Sequence, residues 1–147
     1  MTATAAAVAA SLAAAQTTAT LTLTVPPVFK TKFIKSGKKK GLAKKAFTWT
    51  VAGSDSNAGA LLDVFVRPTT TPCAPNANTE GTATTAGGNG GQALIPEMAV
   101  SGSFTFTHKL RPVKGPSTFC AYVHTGNPST TPDKAATAMF VAKKKSG

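Results

Sequence analysis

The stretch STFCAYVHT, residues 117–125, decides the fold. Its side chains alternate between two faces, with Phe119, Ala121 and Val123 on one and Cys120 and Tyr122 on the other. A strand that is apolar on both faces belongs in the middle of a sheet, covered on both sides. A turn around Lys114-Gly115-Pro116 precedes it and a Pro-rich loop at 126–133 follows it, so it is bounded as strands are.

Working outward, TLTLTV (20–25) sets Leu21, Leu23 and Val25 against Thr20, Thr22 and Thr24, and stops at Pro26-Pro27. VFKTKFI (28–34) reads as a short edge strand, where Lys30 and Lys32 discourage stray pairing. In AFTWTVAG (46–53), Phe47, Trp49 and Val51 share a face, which assigns the single Trp to the core rather than to a sugar platform. ALLDVFVRP (60–68) ends at Pro68, and its alternation sends Asp63 away from Leu62 and Val64, to the solvent face. MAVSGSFTFTH (98–108) and AATAMFVA (135–142) complete the set. No helix is expected after residue 15. Six to seven short strands with turn-rich connections predict an all-β fold, a two-sheet antiparallel Greek-key sandwich.

Residues 69–93, TTTPCAPNANTEGTATTAGGNGGQA, form the longest stretch without strand or helix periodicity. With three consecutive Thr, two Pro and two Gly pairs, they read as a mobile loop tied down at Cys73. Cys73 and Cys120 are the only cysteines. In an exported chain such a pair forms a disulfide, and in a reducing compartment it stays as two core thiols. Closing the loop from 73 to 120 is worth about 4 kcal/mol by chain entropy. Zinc is not expected, because His108 and His124 match no zinc spacing with the two cysteines.

Residues 1–15, MTATAAAVAASLAAA, resemble the apolar and small-residue regions of a signal peptide ending in an A-x-A site. The basic start of such a peptide is not among them, so the alternatives are a signal peptide truncated at its start and an Ala-rich tail. The expected organisation is this segment, one domain at 16–142, and a basic tail at 143–147. No later stretch is apolar for long enough to cross a membrane. The expected location is secreted or at the cell surface.

The 147 residues carry 16 Lys and Arg against 5 Asp and Glu, a net charge of +11. Such a balance favours anionic partners or merely keeps a surface soluble. The charge is concentrated: Lys30, Lys32, Lys35, Lys38, Lys39, Lys40, Lys44 and Lys45 fall within one short segment, and Lys143, Lys144 and Lys145 lie near the end. Lys35, Lys38, Lys39, Lys40, Lys44 and Lys45 are the candidate polyanion-binding residues. They would act by counterion release, without sequence-specific nucleic-acid recognition.

Signatures of catalysis are missing. There is no G-x-S-x-G, H-E-x-x-H, P-loop or dinucleotide fingerprint. The five acids, Asp55, Asp63, Glu80, Glu97 and Asp133, form no local pair of the kind glycosidases use. Ser36 to Lys39 matches S-x-x-K, as a lysine-rich loop does by chance. His108 and His124 are the histidines a Ser–His–Asp site would need. Ser54-Asp55-Ser56-Asn57 offers oxygen ligands, but one carboxylate is too little charge for calcium, so it reads as a turn. No catalytic residue, metal or cofactor is assigned.

Three stretches, LTLTVPPVFK, KKKGLAKKAFTWTVAG and GPSTFCAYVHT followed by AATAMFVA, resemble bacterial secreted immunoglobulin-like or fibronectin-type-III-like modules over roughly residues 19–142. The resemblance implies an exported sandwich whose Cys-Ala-Tyr strand pairs with an earlier cysteine. The chain departs from the immunoglobulin hallmark: Trp49 precedes Cys73 and Tyr122 follows Cys120. The resemblance therefore speaks to fold and location, and names no ligand. The reading is a non-enzymatic, exported binding or surface module, with a polyanion binder and a secreted enzyme of unrecognised site as the alternatives.

Overall fold

The structure, a computed structural model, describes residues 18–87 and 91–146. The signal-like segment 1–15 lies outside the described residues. Eight strands follow in chain order: β1 (Ala19–Thr24), β2 (Val28–Thr31), β3 (Phe47–Asp55), β4 (Ala60–Arg67), β5 (Gln92–Ala99), β6 (Gly102–Leu110), β7 (Gly115–Thr125) and β8 (Lys134–Lys144). Among the described residues one helix, α1 (Ala77–Gly87), lies between β4 and β5. The fold is thus mostly β, with more strands than the six to seven expected.

The strands make two sheets, β1-β3-β6 and β2-β8-β7-β4-β5. All pairings are antiparallel except β2 with β8. The β7 strand is the middle of the larger sheet, as its two apolar faces predict. Phe119, Ala121 and Val123 point into the core shared by both sheets, with Trp49 and Val51 from β3, Leu62 and Val64 from β4, and Phe104 from β6. Phe119 lies 5.2 Å from Trp49 and 5.6 Å from Phe140, ring centre to ring centre, while Phe47 stands 5.0 Å from Phe140. Each such side chain contributes about 1.5–3 kcal/mol by leaving water, and tilted ring pairs add a little more.

The opposite face of β7 is covered by the segment expected to be a mobile loop. Cys120 and Tyr122 pack there with Phe65 and Ala77. Cys73 and Cys120 are joined by a disulfide, Cα to Cα 5.7 Å. Residues 77–87 are helical because tertiary contacts outweigh a Thr- and Gly-rich composition of low helix propensity. Asn76 caps the helix, its Oδ1 accepting from the Thr79 N–H at 2.8 Å, as an Ncap residue does. Glu80, in the first turn, is fully buried and anchors the helix from below.

The β5 strand is the other element missed. Its sequence, QALIPEMA, contains Pro96, which a ladder tolerates only at an edge, and β5 is the edge next to β4. The register between them shifts between Leu62 and Val64 and again between Val64 and Phe65, and Glu97 takes a positive φ of 42°. The irregularity explains the fate of Asp63. It points away from the core, as its alternation predicts, but that face is not solvent. Asp63 is buried, and its Oδ1 accepts the Glu97 N–H at 2.9 Å where the ladder is interrupted.

Candidate functional site: lysine-lined clefts at one end of the sheets

Chain segments from three places converge on the basic end. The parallel pairing of β2 with β8 sets Lys30 opposite Lys143 and Thr31 opposite Lys144. Thr31 is buried while Lys30 and Lys32 are exposed, so alternation along β2 and into the next residue turns both lysines outward. The β8 strand continues through Lys143 and Lys144, which corrects the expected boundary of a basic tail at 143. Lys145 is fixed as well, its N–H donating to the Thr31 carbonyl at 2.9 Å.

The lysine loop between β2 and β3 is folded. Bridges join Phe33 to Ala43 and Leu42 to Val113. The Ile34 N–H donates to the Leu42 carbonyl at 2.9 Å, and the Lys44 N–H to the Lys32 carbonyl at 2.8 Å. The chain reverses through Gly37 and Gly41, with φ of 88° and 92°, values that suit glycine. Lys38, Lys39 and Lys40 occupy this reversal and are exposed.

Two clefts result. One, of about 250 Å³, is lined by Lys30, Thr31, Lys32, Lys44, Lys45 and Lys145. The other, of about 500 Å³, adds Phe33, Ile34, Lys35, Lys114 and Lys144 to a wall it shares through Lys32, Lys44 and Lys145. No acid lines either cleft. Among the described residues the ion pairs are Arg67–Glu80 and His124–Asp63, and neither involves a lysine.

Of the six candidate lysines, Lys35, Lys44 and Lys45 line the clefts, whereas Lys38, Lys39 and Lys40 stand at the tip of the loop and line neither. The residues that complete the walls are Lys30, Lys32, Lys114, Lys144 and Lys145. Charge density flagged most of them in the sequence, but only the β2–β8 pairing and the Leu42–Val113 bridge bring them together. Lys114, outside the two lysine runs, carried no such signal.

A second concavity lies on the outer face of the larger sheet. A groove of about 610 Å³ runs between α1 and β5, lined by Asp63, Phe65, Ala77, Asn78, Pro96 and Glu97 among others. Behind it, His124 Nε2 lies 2.6 Å from Asp63 Oδ2, both groups buried. Among the described residues His124 Nδ1 is buried with no hydrogen-bond partner. His108 is exposed on β6, its ring 5.4 Å from Trp49. The structure does not assemble the two histidines into one site: His108 lies on the three-stranded sheet and His124 on the five-stranded one.

Cys73, Glu80 and Cys120 also lie close together. Their ligand atoms are committed elsewhere, the two sulfurs to each other and Glu80 to Arg67. Tyr122 closes this inner cluster, its hydroxyl donating to the Ala74 carbonyl at 2.7 Å. Burial, with the Glu80 charge beside it, pushes the phenol well above its ordinary pKa, so it stays a neutral donor. No helix among the described residues is long and apolar enough to cross a membrane. No protein-family model, curated protein or solved structure matches this chain.

Proposed function

We propose that the protein is an exported, non-enzymatic module of immunoglobulin-like Greek-key sandwich type that binds acidic polymers through the lysine-lined clefts. The strand order β1-β3-β6 against β2-β8-β7-β4-β5 supports the sandwich reading. The disulfide supports export, since such bonds persist in oxidising compartments.

The observation that carries the binding reading is the composition of the cleft walls. Eight lysines from β2, its following loop, the β6–β7 turn and the end of β8 face shared space with no acid among them. Lys35 and Lys45 come from the loop, and Lys144 and Lys145 from the other end of the chain. Like charges held this close repel, and an anion entering the cleft relieves that repulsion. Binding releases the condensed counterions of the polymer, which makes it salt-dependent and blind to sequence. The ligand class is a polyanion: an acidic glycan, a phosphate-linked cell-wall polymer or nucleic acid.

Retention of the oxidised chain on heparin and on DNA across a salt series tests this reading. Reversing Lys32, Lys44 and Lys145 to Glu lowers the salt slope on DNA by about 3, near 0.9 for each phosphate no longer neutralised. Reversing Lys38, Lys39 and Lys40 makes the same change in net charge at the loop tip and lowers the slope less. Equal effects from the two triple variants would reduce the clefts to bulk charge. Weak retention indifferent to both would remove the polyanion reading.

A further inference from the structure

The outer face of the larger sheet is covered on one side only. The segment that leads into α1 packs over β4 and β7, where Cys73 and Ala77 meet Phe65, Cys120 and Tyr122. Thr118 is closed off there, its hydroxyl donating to the Thr69 carbonyl at 2.6 Å. The cover ends at the disulfide, where the exposed Thr137 of β8 donates its hydroxyl to Cys73 Sγ at 3.3 Å. Beyond that line, Met139 and Lys143 on β8 and Val28 and Lys30 on β2 are exposed.

Two of these side chains are apolar. Among the described residues the large apolar side chains that stand exposed are Val28 and Met139, at 47% and 51%. Both point outward because alternation turns Phe29 of β2 and Phe140 and Ala142 of β8 to the core. The parallel register sets Val28 opposite Val141, and the β7 partner of Val141 is Pro116. Val28, Val141 and Pro116 therefore form an apolar row across three strands, with Met139 beside it on β8. The next row is charged, with Lys30 opposite Lys143. Neither β2 nor β8 contains an acid.

We propose that this strip docks on a lipid surface with anionic headgroups, Val28, Met139 and Val141 entering the boundary with the acyl chains while Lys30 and Lys143 meet the phosphates. Apolar area and basic charge on one face are the two components of interfacial binding. The charge selects this partner over the others. A second copy would bring a net charge of +11 against +11, and a polar polyanion would leave Val28 and Met139 in water. Lysine stems suit the layer between phosphate and hydrocarbon, because their methylenes lie along apolar surface while the ammonium stays with the headgroups. The strip shares Lys30 with the smaller cleft, but Lys143 lines neither cleft. It does not rest on the polymer reading.

Co-sedimentation of the oxidised chain with vesicles tests the strip. The protein pellets with phosphatidylcholine vesicles in which about a quarter of the lipid is phosphatidylglycerol, and its partition coefficient falls by at least about tenfold on phosphatidylcholine alone. Val28→Ser with Met139→Ser lowers the partition coefficient on the anionic vesicles about tenfold and leaves retention on heparin unchanged. Lys143→Gln lowers it about fivefold. Met139→Trp works in the other direction, since an indole favours the membrane interface. Its binding rises severalfold, and its emission shifts to the blue on vesicles but not on heparin, a gain that a damaged fold does not produce. Absence of binding to the anionic vesicles would overturn the strip. So would binding that is undiminished in the Val28 and Met139 double variant and released by salt, which would assign it to the clefts. Self-association of the wild-type chain, lost in the double variant, would make the strip a contact between copies and overturn it equally. Vesicle binding without retention on heparin would remove the polymer reading and leave the strip standing.

Discussion

Arg67 and Glu80 meet beneath α1, with Arg67 Nε 2.6 Å from Glu80 Oε2 and its second amine 3.2 Å from Oε1. The same carboxylate accepts the Ala74 N–H at 2.9 Å and the Thr84 hydroxyl at 2.9 Å. Arg67 in turn donates to the Pro72 carbonyl at 3.0 Å. One buried ion pair therefore organises both the chain that leads into α1 and the helix itself.

Glu80→Ala removes the acceptor for Arg67, Ala74 and Thr84 and leaves Arg67 buried without its counter-charge. The expected loss is about 3–5 kcal/mol, read as the drop in unfolding free energy from urea titration. Amide exchange in 74–84 should accelerate more than in β7. A loss below about 1 kcal/mol would mean that α1 is held by its apolar contacts alone.

Replacing both Cys73 and Cys120 by Ala frees the chain that connects β4 to α1. Chain entropy sets the expected cost at about 4 kcal/mol as an upper figure. Differential scanning calorimetry of the double variant against the oxidised parent measures it. The Arg67–Glu80 pair also anchors this region, so the sheets should survive while 69–84 exchanges faster.

Gly53 is required by a close approach. A Cβ added there would stand 2.2 Å from the Thr20 carbonyl oxygen and 3.1 Å from the Phe104 ring. Gly53→Ala forces β1 away from β3 and costs about 1–3 kcal/mol. Chemical denaturation should show the loss, and exchange of the β1 amides should report its place. Gly59→Ala, at a turn with open space around it but a φ of 77°, serves as the comparison for backbone strain without a clash.

Asp55 and Asp133, both bonded to Asn57, make stability depend on pH in two opposed ways. Burial, followed by the neighbouring Asp133, raises Asp55 above its usual value. A group raised in the folded state binds its proton more tightly there, so its contribution is full below the unfolded pKa and is lost as pH rises through the folded one. Burial works to raise Asp133 too, but bonds to Asp55, Thr125 and Asn57, and the nearby His124, outweigh it and hold the group below its usual value. That contribution is present above the unfolded pKa and is lost as pH falls. Asp55→Asn should remove the decline on the neutral side and leave a loss at the acid end. Urea midpoints taken from about pH 3 to pH 7 would show it, and an unchanged neutral-side slope would place the titration elsewhere.

Much of this was legible in particular residues. The two-sided apolar pattern of 117–125 made β7 central, and the shared face of Phe47, Trp49 and Val51 placed Trp49 in the core, where it is 1% exposed. The pairing of Cys73 with Cys120 followed from their being the only two cysteines. The lysines of 30–45 announced a basic surface. By contrast, α1 was hidden because Thr and Gly are poor helix formers, and its stability comes from Glu80 and Ala77 meeting residues distant in sequence, with Asn76 capping it locally. The β5 strand was masked by Pro96, which an edge strand accepts and a central one does not.

The sequence by itself determined the strand periodicity, the apolar faces and the excess of positive charge, because these are properties of neighbouring residues along the chain. Only the tertiary structure decided that the face bearing Asp63 is covered and that Lys114 and Lys145 join the loop lysines. It alone brought Asp133 to Asp55. Each of these depends on which strands pair and in what register, a choice made by burial of the whole core that no local window of sequence contains.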